Sequence, residues 1–153
     1  MKTAAFTGSF DPFTRGHHDI VRRALQLFDR VVIGVGHNEH KQYRQTAEER
    51  VRTIRSYYAG EPRVAVEAYA DLTTDFCRRI GAQFIVKGVR SVHDFEYERE
   101  MGEVNRQLTG VETVCLFADP ALSHISSSVA RELEHFGHDI TALLPQPQNP
   151  PTE

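Results

Sequence analysis

The sequence predicts an α/β fold in which five parallel strands form one sheet with helices on both of its faces. Short apolar runs alternate along the chain with longer segments whose apolar residues recur at helical spacing. This alternation is typical of βαβ units around a parallel sheet. The chain has 153 residues, of which 40% are hydrophobic, and that length suits one sizeable core rather than two. We therefore expect a single domain over residues 1–144.

The strands are the short apolar runs, which contain mainly Val, Ile, Ala and Phe. In chain order we expect them at residues 3–7, 30–36, 64–69, 84–86 and 111–117. Gly81 ends the helix before the fourth run, because glycine readily adopts the left-handed conformation that closes a helix. The sequence therefore separates every strand from the next by a helical segment.

The helices are indicated by their apolar stripes and their end signals. Thr46 and Glu49 form a capping box, in which the hydroxyl and the carboxylate satisfy free backbone amides at the start of a helix. A later long helix carries an apolar stripe made of Tyr97, Met101, Val104 and Leu108. In chain order we expect the helices at about 17–28, 46–58 and 74–80, then a long helix that carries this stripe, and a last helix from the serines at 126–128 onward.

Composition restricts the partners and the compartment. The 21 acidic and 18 basic residues are mixed along the chain and give a net charge of −3, so no basic stripe indicates a nucleic-acid partner. No run approaches the roughly 18 apolar residues that a membrane helix needs. Cys77 and Cys115 form no paired motif, which favours reduced thiols and a cytoplasmic protein. Residues 145–153 contain four prolines and predict a flexible tail.

Four loops that follow predicted strands carry distinctive polar residues. In open parallel sheets the ligand crevice lies beyond the carboxyl ends of the strands. These loops contain residues 8–17, 38–41, 87–90 and 125–128. Taken singly, each has an ordinary explanation, such as turn residues, a solvated lysine or a helix cap. Together they indicate an anion site, because His17 and the serines fall at helix N-termini, where backbone amides meet phosphate.

The motifs in these loops resemble a known enzyme family. Gly-Ser-Phe-Asp-Pro at 8–12 with Thr-Arg-Gly-His at 14–17 resembles the signature of the nucleotidyltransferase superfamily, whose (His/Thr)-x-Gly-His motif holds ATP phosphates. Three later features are similar to phosphopantetheine adenylyltransferases in particular, and the resemblance covers about residues 3–144. They are Lys41, the pair Lys-Gly-Val-Arg at 87–90 and Asp-Phe-Glu-Tyr-Glu at 94–98, and Ile-Ser-Ser-Ser at 125–128.

The resemblance implies a fold, a reaction and an assembly. The fold would be Rossmann-like with strand order 3-2-1-4-5. The reaction would be the reversible transfer of AMP from ATP to 4'-phosphopantetheine by in-line attack, giving dephospho-coenzyme A and pyrophosphate in coenzyme A biosynthesis. Mg²⁺ would arrive bound to ATP oxygens, and no side chain is expected to bind a metal. The resemblance also implies a homohexamer in the cytoplasm.

The resemblance also implies roles for individual residues. His17 would stabilise the transition state, Ser9 and Lys41 would orient the attacking phosphate, and Arg90 would hold the triphosphate. The implied ATP-binding residues are Ser9, Phe10, His17, Gly88, Val89, Arg90, Glu98, Leu122, Ser123, His124, Ile125, Ser126, Ser127 and Ser128. The implied phosphopantetheine-binding residues are Ser9, Lys41, Leu72, Thr73 and Lys87.

Two residues depart from the family pattern. Thr7 stands where a proline is common, and Lys87 replaces the first arginine of Arg-Gly-Leu-Arg. Lysine keeps the positive charge but lacks the bidentate guanidinium. Substrate affinity could therefore differ from that of the family.

Several alternatives remain at this stage. A related nucleotidyltransferase would use another acceptor, such as nicotinamide mononucleotide or glycerol 3-phosphate, and a nucleotide-binding regulator would keep the loops without turnover. Adjacent His17 and His18, or His37 with His40, would make poor metal sites because no Cys or nearby carboxylate completes a set of four ligands. Neither the dinucleotide fingerprint nor the Walker ending is present.

Overall fold

The computed structural model describes residues 1–146 and confirms the predicted sheet. Five strands run parallel in the order β3-β2-β1-β4-β5. The strands are β1 Thr3–Gly8, β2 Arg30–Gly36, β3 Val64–Tyr69, β4 Phe84–Val89 and β5 Glu112–Phe117. Because the chain order reverses between β1 and β4, their carboxyl ends frame the position where such sheets bind ligands.

The five predicted helices are present, with differences at their ends. They are α1 Arg15–Ala24, α2 Ala47–Tyr57, α3 Thr73–Ile80, α4 Val92–Thr109 and α5 Ser127–His135, followed by a 3₁₀ turn at Thr141–Leu143. Helix α1 begins two residues before the predicted start, because Thr14 caps it and forms a capping box with His17 in the first turn. Gly81 ends α3 with a φ of 69°, as predicted.

Helices cover both faces of the sheet, as the sequence predicts. Alternate strand residues point to opposite faces, so Ala4 and Phe6 pack with α1 and α2, whereas Ala5 packs with Phe76 of α3. Within the sheet, Val31 and Ile33 face the first layer and Val32 faces the second. The two apolar layers hold β1 and β2 rigidly in the middle of the molecule, directly beneath the distinctive loops.

Helix α4 differs from the other helices, because none of its residues is buried. Its apolar stripe faces outward, and Tyr97 and Leu108 are 60% and 63% exposed. The stripe correctly predicts the helix, but residues 1–146 leave much of it exposed.

Two further sequence predictions concern the membrane and the tail. No helix among residues 1–146 has the length and apolar character that crossing a membrane requires. The predicted flexible tail lies mainly in residues 147–153, outside the described residues, while Pro145 itself is buried. The single-domain boundary at residue 144 stays a prediction.

The packing between β2 and α3 predicts a large effect at Gly34. A Cβ atom there would lie 2.5 Å from Cε1 of Phe76, which is fully buried and stacked on Tyr69 with ring centroids 4.5 Å apart. We expect Gly34→Ala to lower the free energy of unfolding by about 1–3 kcal/mol, since overpacking forces the rings to shift. Urea unfolding measures this. Gly36→Ala is the control, because the Cβ atom of an alanine there would have no neighbour closer than 3.5 Å. An equal decrease in the free energy of unfolding in both variants would contradict the packing argument.

Candidate active site

A cleft lies between the carboxyl ends of β1 and β4, and we call it the β1–β4 cleft. Its volume is about 320 Å³, and its walls come from the loop after β1, the first turn of α1, the end of β4 and the start of α5. The predicted residues that line it are Ser9, Phe10, His17, Lys87, Gly88, Arg90, Glu98, Leu122, Ile125, Ser126, Ser127 and Ser128. Residues from four distant segments of the sequence thus meet in one place.

A second cleft, the β2–β3 cleft, lies beyond the ends of β2 and β3 and has a volume of about 540 Å³. Lys41, Leu72 and Thr73 line it, as do His37 and His40. Gly8 and Ser9 line both clefts. The two clefts therefore meet at the loop after β1. The β1–β4 cleft holds most of the predicted ATP residues, and the β2–β3 cleft holds the predicted acceptor residues Lys41, Leu72 and Thr73. Lys87, also predicted to bind the acceptor, lines the β1–β4 cleft instead.

Three of the predicted ATP-binding residues do not line the β1–β4 cleft. Val89 is buried within the sheet and only 5% exposed. Ser123 and His124 are exposed, and the Ser123 hydroxyl donates to the carbonyl of Pro120 at 3.0 Å. Neither side chain lines the cleft, so the contact of Ser123 and His124 with ATP stays a prediction.

The backbone around His17 fixes the tautomer of its ring. The amide of Thr14 donates to Nδ1 of His17 at 3.0 Å, and the Thr14 hydroxyl lies 3.2 Å from the same atom. Because Nδ1 accepts the amide hydrogen, the ring proton belongs on Nε2. The ring packs among three phenylalanines, with centroids 5.0 Å from Phe10 and 5.4 Å from Phe13. A preset N–H donor is thus held in the wall of the cleft.

The surroundings keep this ring neutral. Burial, with a smaller contribution from the positive charge of Arg90, lowers the pKa of His17 from 6.5 to about 4. At neutral pH the imidazole can donate one hydrogen bond from Nε2 but carries no charge. Its chemistry is that of a neutral hydrogen-bond donor.

This low pKa predicts how His17 affects stability. We expect the His17 ring to titrate near pH 4 in the folded chain, as measured by NMR of its Cε1–Hε1 group, and near its ordinary value in urea. Between about pH 6.5 and pH 4, only the unfolded chain binds a proton at His17. The contribution of His17 to the free energy of unfolding is therefore complete above about pH 6.5 and falls as the pH drops to about 4. A folded-state midpoint near 6.5 would contradict the neutral-donor geometry.

The serines at the start of α5 have defined partners. Ser126 caps the helix by accepting from the amide of Val129 at 3.1 Å, and the Ser127 hydroxyl donates to the carbonyl of Pro12 at 2.7 Å. Since the Ser127 hydroxyl and the Val129 amide are engaged, the backbone amides of Ser127 and Ser128 are the first-turn groups that remain for an anion. Arg90 lies across the same cleft and donates from its backbone amide and Nε to Asp94 at 3.2 and 3.3 Å.

Comparison with known proteins identifies the family. Residues 5–133 match the sequence model described as Cytidylyltransferase-like. The phosphopantetheine adenylyltransferase of Phocaeicola vulgatus is 52% identical over 146 residues, covering 95% of this chain and 97% of its own. The enzyme of the same name from Porphyromonas gingivalis is 52% identical over 94% of both chains, and that of Nocardioides sp. is 46% identical over 95% and 91%. This chain belongs to the phosphopantetheine adenylyltransferase family.

Solved structures confirm the fold of this family member. A bifunctional NMN adenylyltransferase/ADP ribose pyrophosphatase from Francisella tularensis, in complex with AMP and a manganese ion, superposes with a TM-score of 0.71 and 17% identity. The match covers 94% of this chain and 44% of that longer chain. At this identity the likeness establishes the Rossmann-like fold and nothing finer.

The two departures from the phosphopantetheine adenylyltransferase pattern lie side by side. Nζ of Lys87 is 3.4 Å from the carbonyl of Thr7 and 3.7 Å from Oε1 of Glu98. The lysine therefore bridges β1 and α4 at the floor of the β1–β4 cleft. It reaches these two acceptors with a single nitrogen, where an arginine would spread its donors over the three nitrogens of a planar guanidinium.

Sequence reasoning missed a polar cluster beside the β2–β3 cleft, in which Tyr43 lines the cleft and two charged residues are buried. Asp11, Tyr43 and Arg50 were not predicted as site residues, although Asp11 and Arg50 are only 2% and 1% exposed. The sequence pattern of α2 could have indicated that Arg50 is buried. Arg50 precedes Ile54 by four residues and therefore lies on the buried stripe of that helix.

Proposed function

We propose that the chain transfers AMP from ATP to 4'-phosphopantetheine, giving dephospho-coenzyme A and pyrophosphate in coenzyme A biosynthesis. The observation that carries this proposal is the junction of the two clefts at Ser9 in a member of this family. One cleft offers Arg90 and a helix N-terminus for a triphosphate, and the other offers Lys41 for an acceptor phosphate. The junction is where the two phosphates would meet.

The chemistry needs positioning more than proton transfer. A phosphate oxygen of the acceptor forms a bond to the α-phosphorus of ATP, while the bond from that phosphorus to the bridging oxygen breaks and pyrophosphate leaves. A phosphate monoester has a second pKa of about 6, so the nucleophile is largely ionised at neutral pH. The neutral ring of His17 suits this reaction, because no general base is required.

On the ATP side, the proposed groups are donors aimed at developing charge. Nε2 of His17 donates to the α-phosphoryl oxygens, where negative charge grows during in-line attack. Arg90 and the first-turn amides of α5 hold the β- and γ-phosphates, and Gly88 and Glu98 border the nucleotide. These groups stabilise the transition state without changing their own protonation.

On the acceptor side, Ser9 and Lys41 hold the attacking phosphate. The pantetheine arm follows the backbone of Leu72 and Thr73 into a smaller pocket of about 140 Å³. Thr73, Lys87 and Met101 line this pocket. It adjoins the β2–β3 cleft at Gly8, Tyr69 and Thr73, which gives a long, thin acceptor a continuous path.

We propose that Mg²⁺ arrives on ATP oxygens rather than at a protein cage. Asp94 and Glu98 face the β1–β4 cleft, but Arg90 and Lys87 already neutralise them. Residues 1–146 contain no group of three His, Cys, Asp or Glu side chains arranged to hold a metal ion. When bound, the ion neutralises phosphate charge, and it usually keeps several of its waters.

We also propose a homohexamer in the cytoplasm. The exposed stripe on α4, with Met101 41% and Val104 49% exposed, supports assembly because an apolar face of this kind favours burial against another subunit. Cys77 and Cys115 are free thiols in the described structure, which suits a reducing compartment.

Pyrophosphate release tests the proposal directly. ATP and Mg²⁺ are supplied with 4'-phosphopantetheine, nicotinamide mononucleotide or glycerol 3-phosphate, and the nucleotide product is identified by mass. We expect release only with 4'-phosphopantetheine, together with dephospho-coenzyme A. Release with another acceptor would support AMP transfer but contradict 4'-phosphopantetheine as the acceptor. Release with none of the three would favour a protein that binds nucleotide without turnover.

A further inference from the structure

Arg50 is the most deeply buried charged side chain of the described residues, and it touches neither cleft. It lies in α2, is 1% exposed, and is absent from the walls of the β1–β4 and β2–β3 clefts. Burying a guanidinium is costly unless its hydrogens find acceptors. Nε and Nη1 of Arg50 have acceptors, whereas Nη2 has none among the described residues. The acceptors that Nε and Nη1 have are therefore informative.

One nitrogen of Arg50 joins the two loops that would hold the acceptor phosphate. Nη1 donates to the carbonyl of Ser9 at 2.5 Å and to the carbonyl of Gly36 at 3.1 Å. Ser9 lies at the junction of the clefts, and Gly36 is the last residue of β2, from which the chain continues to Lys41. The shared donor fixes the separation between these loops.

The same side chain also supports the turn that carries Lys41. The guanidinium lies over the ring of Tyr43, 4.1 Å from its centroid, and the Tyr43 hydroxyl accepts from the amide of Asn38 at 2.8 Å. The amide of Lys41 donates to the carbonyl of Asn38 at 3.0 Å inside this turn. Arg50, Tyr43 and Asn38 thus close the turn around the lysine.

A carboxylate secures the chain just after the turn. Asp11 is 2% exposed and accepts from the backbone amides of Arg44 at 2.7 Å and Gln45 at 3.3 Å. The carbonyl of Gln45 in turn accepts from Nε of Arg50 at 3.2 Å. Burial lowers the pKa of Arg50, and the charge of Asp11 opposes that shift, so the guanidinium remains charged at neutral pH.

We propose that Arg50 is a positioning residue for the acceptor phosphate, acting by holding Ser9 and the turn of Lys41 at a fixed separation. The inference rests on the proposed function and adds to it the residue that sets the geometry of the acceptor side. Arg50 itself contacts no substrate. Its effect on the reaction passes through Ser9 and through Tyr43.

Arg50→Lys tests the proposal, because lysine keeps the charge but cannot donate to two carbonyls and stack on Tyr43 at once. We expect kcat/KM for 4'-phosphopantetheine to fall by about 10-fold or more, mainly through KM, while KM for ATP changes by less than about 2-fold. Hydrogen–deuterium exchange of the peptide spanning residues 37–46 should become faster. Arg52 is an exposed residue of the same helix, and Arg52→Lys should change neither the kinetic constants nor this exchange rate.

A purely structural Arg50 would give a different result. Thermal stability would fall, but the KM values of the folded enzyme for both substrates would stay as in the wild type, and that outcome overturns the proposal. If Arg50→Lys does not fold, Tyr43→Phe replaces it, since this variant keeps the ring under Arg50 and removes only the hydroxyl bond to Asn38. It should raise KM for 4'-phosphopantetheine by about 3-fold or more, and an unchanged KM would overturn the proposal.

A failure of the proposed function would be seen in the wild-type chain and not only in the Arg50 variant. The wild-type chain itself would release no pyrophosphate with 4'-phosphopantetheine, regardless of residue 50. Exchange in residues 37–46 would still report on Arg50 in that case. Unchanged exchange in Arg50→Lys would overturn the positioning role independently of any activity.

Discussion

His17→Ala is expected to lower kcat on the order of 10²-fold or more while leaving the chain folded. A preorganised donor aimed at charge that develops in the transition state is commonly worth about 3 kcal/mol. The backbone of Thr14 presets Nε2 of His17 as that donor, and burial keeps the ring neutral. KM for ATP should change little, because the contact strengthens mainly in the transition state. Steady-state pyrophosphate release measures both constants.

The structural role of His17 has to be separated from its catalytic role. Its ring accepts the amide of Thr14 and so caps α1, and an alanine would lose that cap at a cost of about 1 kcal/mol. Glutamine also serves as the third residue of a capping box, so His17→Gln should recover most of the thermal stability while kcat stays low.

An exposed histidine provides the matched control for this experiment. His138 lies in the segment after α5 and outside both clefts, so His138→Ala should have normal turnover. Near-normal turnover of His17→Ala would refute its role in catalysis. Recovery of kcat together with stability in His17→Gln would assign the loss to folding instead.

The order of the sheet and the type of each element could be predicted, because they depend on patterns within short windows. Runs such as residues 84–86 alternate with helical stripes, and a parallel sheet follows from that alternation. Helix ends were less predictable where the capping residue is unusual. The box at α1 uses His17 in place of the usual Glu or Gln, so its start was expected two residues too late.

Burial of α4 could not be predicted, because periodicity reports an apolar face and not the surface that covers it. Tyr97 and Leu108 have the spacing of a core-facing stripe, yet both are exposed in the single chain. The same pattern arises when a helix packs on its own sheet and when it packs on another subunit. Only the three-dimensional arrangement distinguishes the two.

The candidate site could be predicted where its residues follow strands directly, as Ser9 and Arg90 do. Arg50 was missed because charged residues are usually exposed, and its partners at Ser9 and Gly36 are backbone carbonyls, which leave no trace in the sequence. His124 directly precedes the motif at 125–128, but it is exposed and lies outside the lining of the β1–β4 cleft, so its contact with ATP stays a prediction.

Lys41→Ala is expected to lower kcat/KM for 4'-phosphopantetheine by about 10- to 100-fold, since a hydrogen bond to a charged group is worth about 1.5–3 kcal/mol. Lys41 is exposed in the β2–β3 cleft and, within residues 1–146, its ammonium forms no ion pair. Removing the side chain should therefore leave the free energy of unfolding unchanged. KM for ATP, which is bound in the other cleft, should also stay close to that of the wild type.

Lys2→Ala is the control for the loss of a positive charge, because Lys2 is exposed and its only hydrogen bonds in the described structure are made by its backbone. Equal losses in the two variants would show that overall charge, and not the position of Lys41, attracts the acceptor phosphate. Lys41→Arg should recover part of the activity, since the charge is kept but the wider guanidinium meets the phosphate at a different angle. Full loss in Lys41→Arg with normal folding would mean that the compact ammonium itself is required, and that the acceptor phosphate is held more tightly between Ser9 and Lys41 than the open cleft suggests.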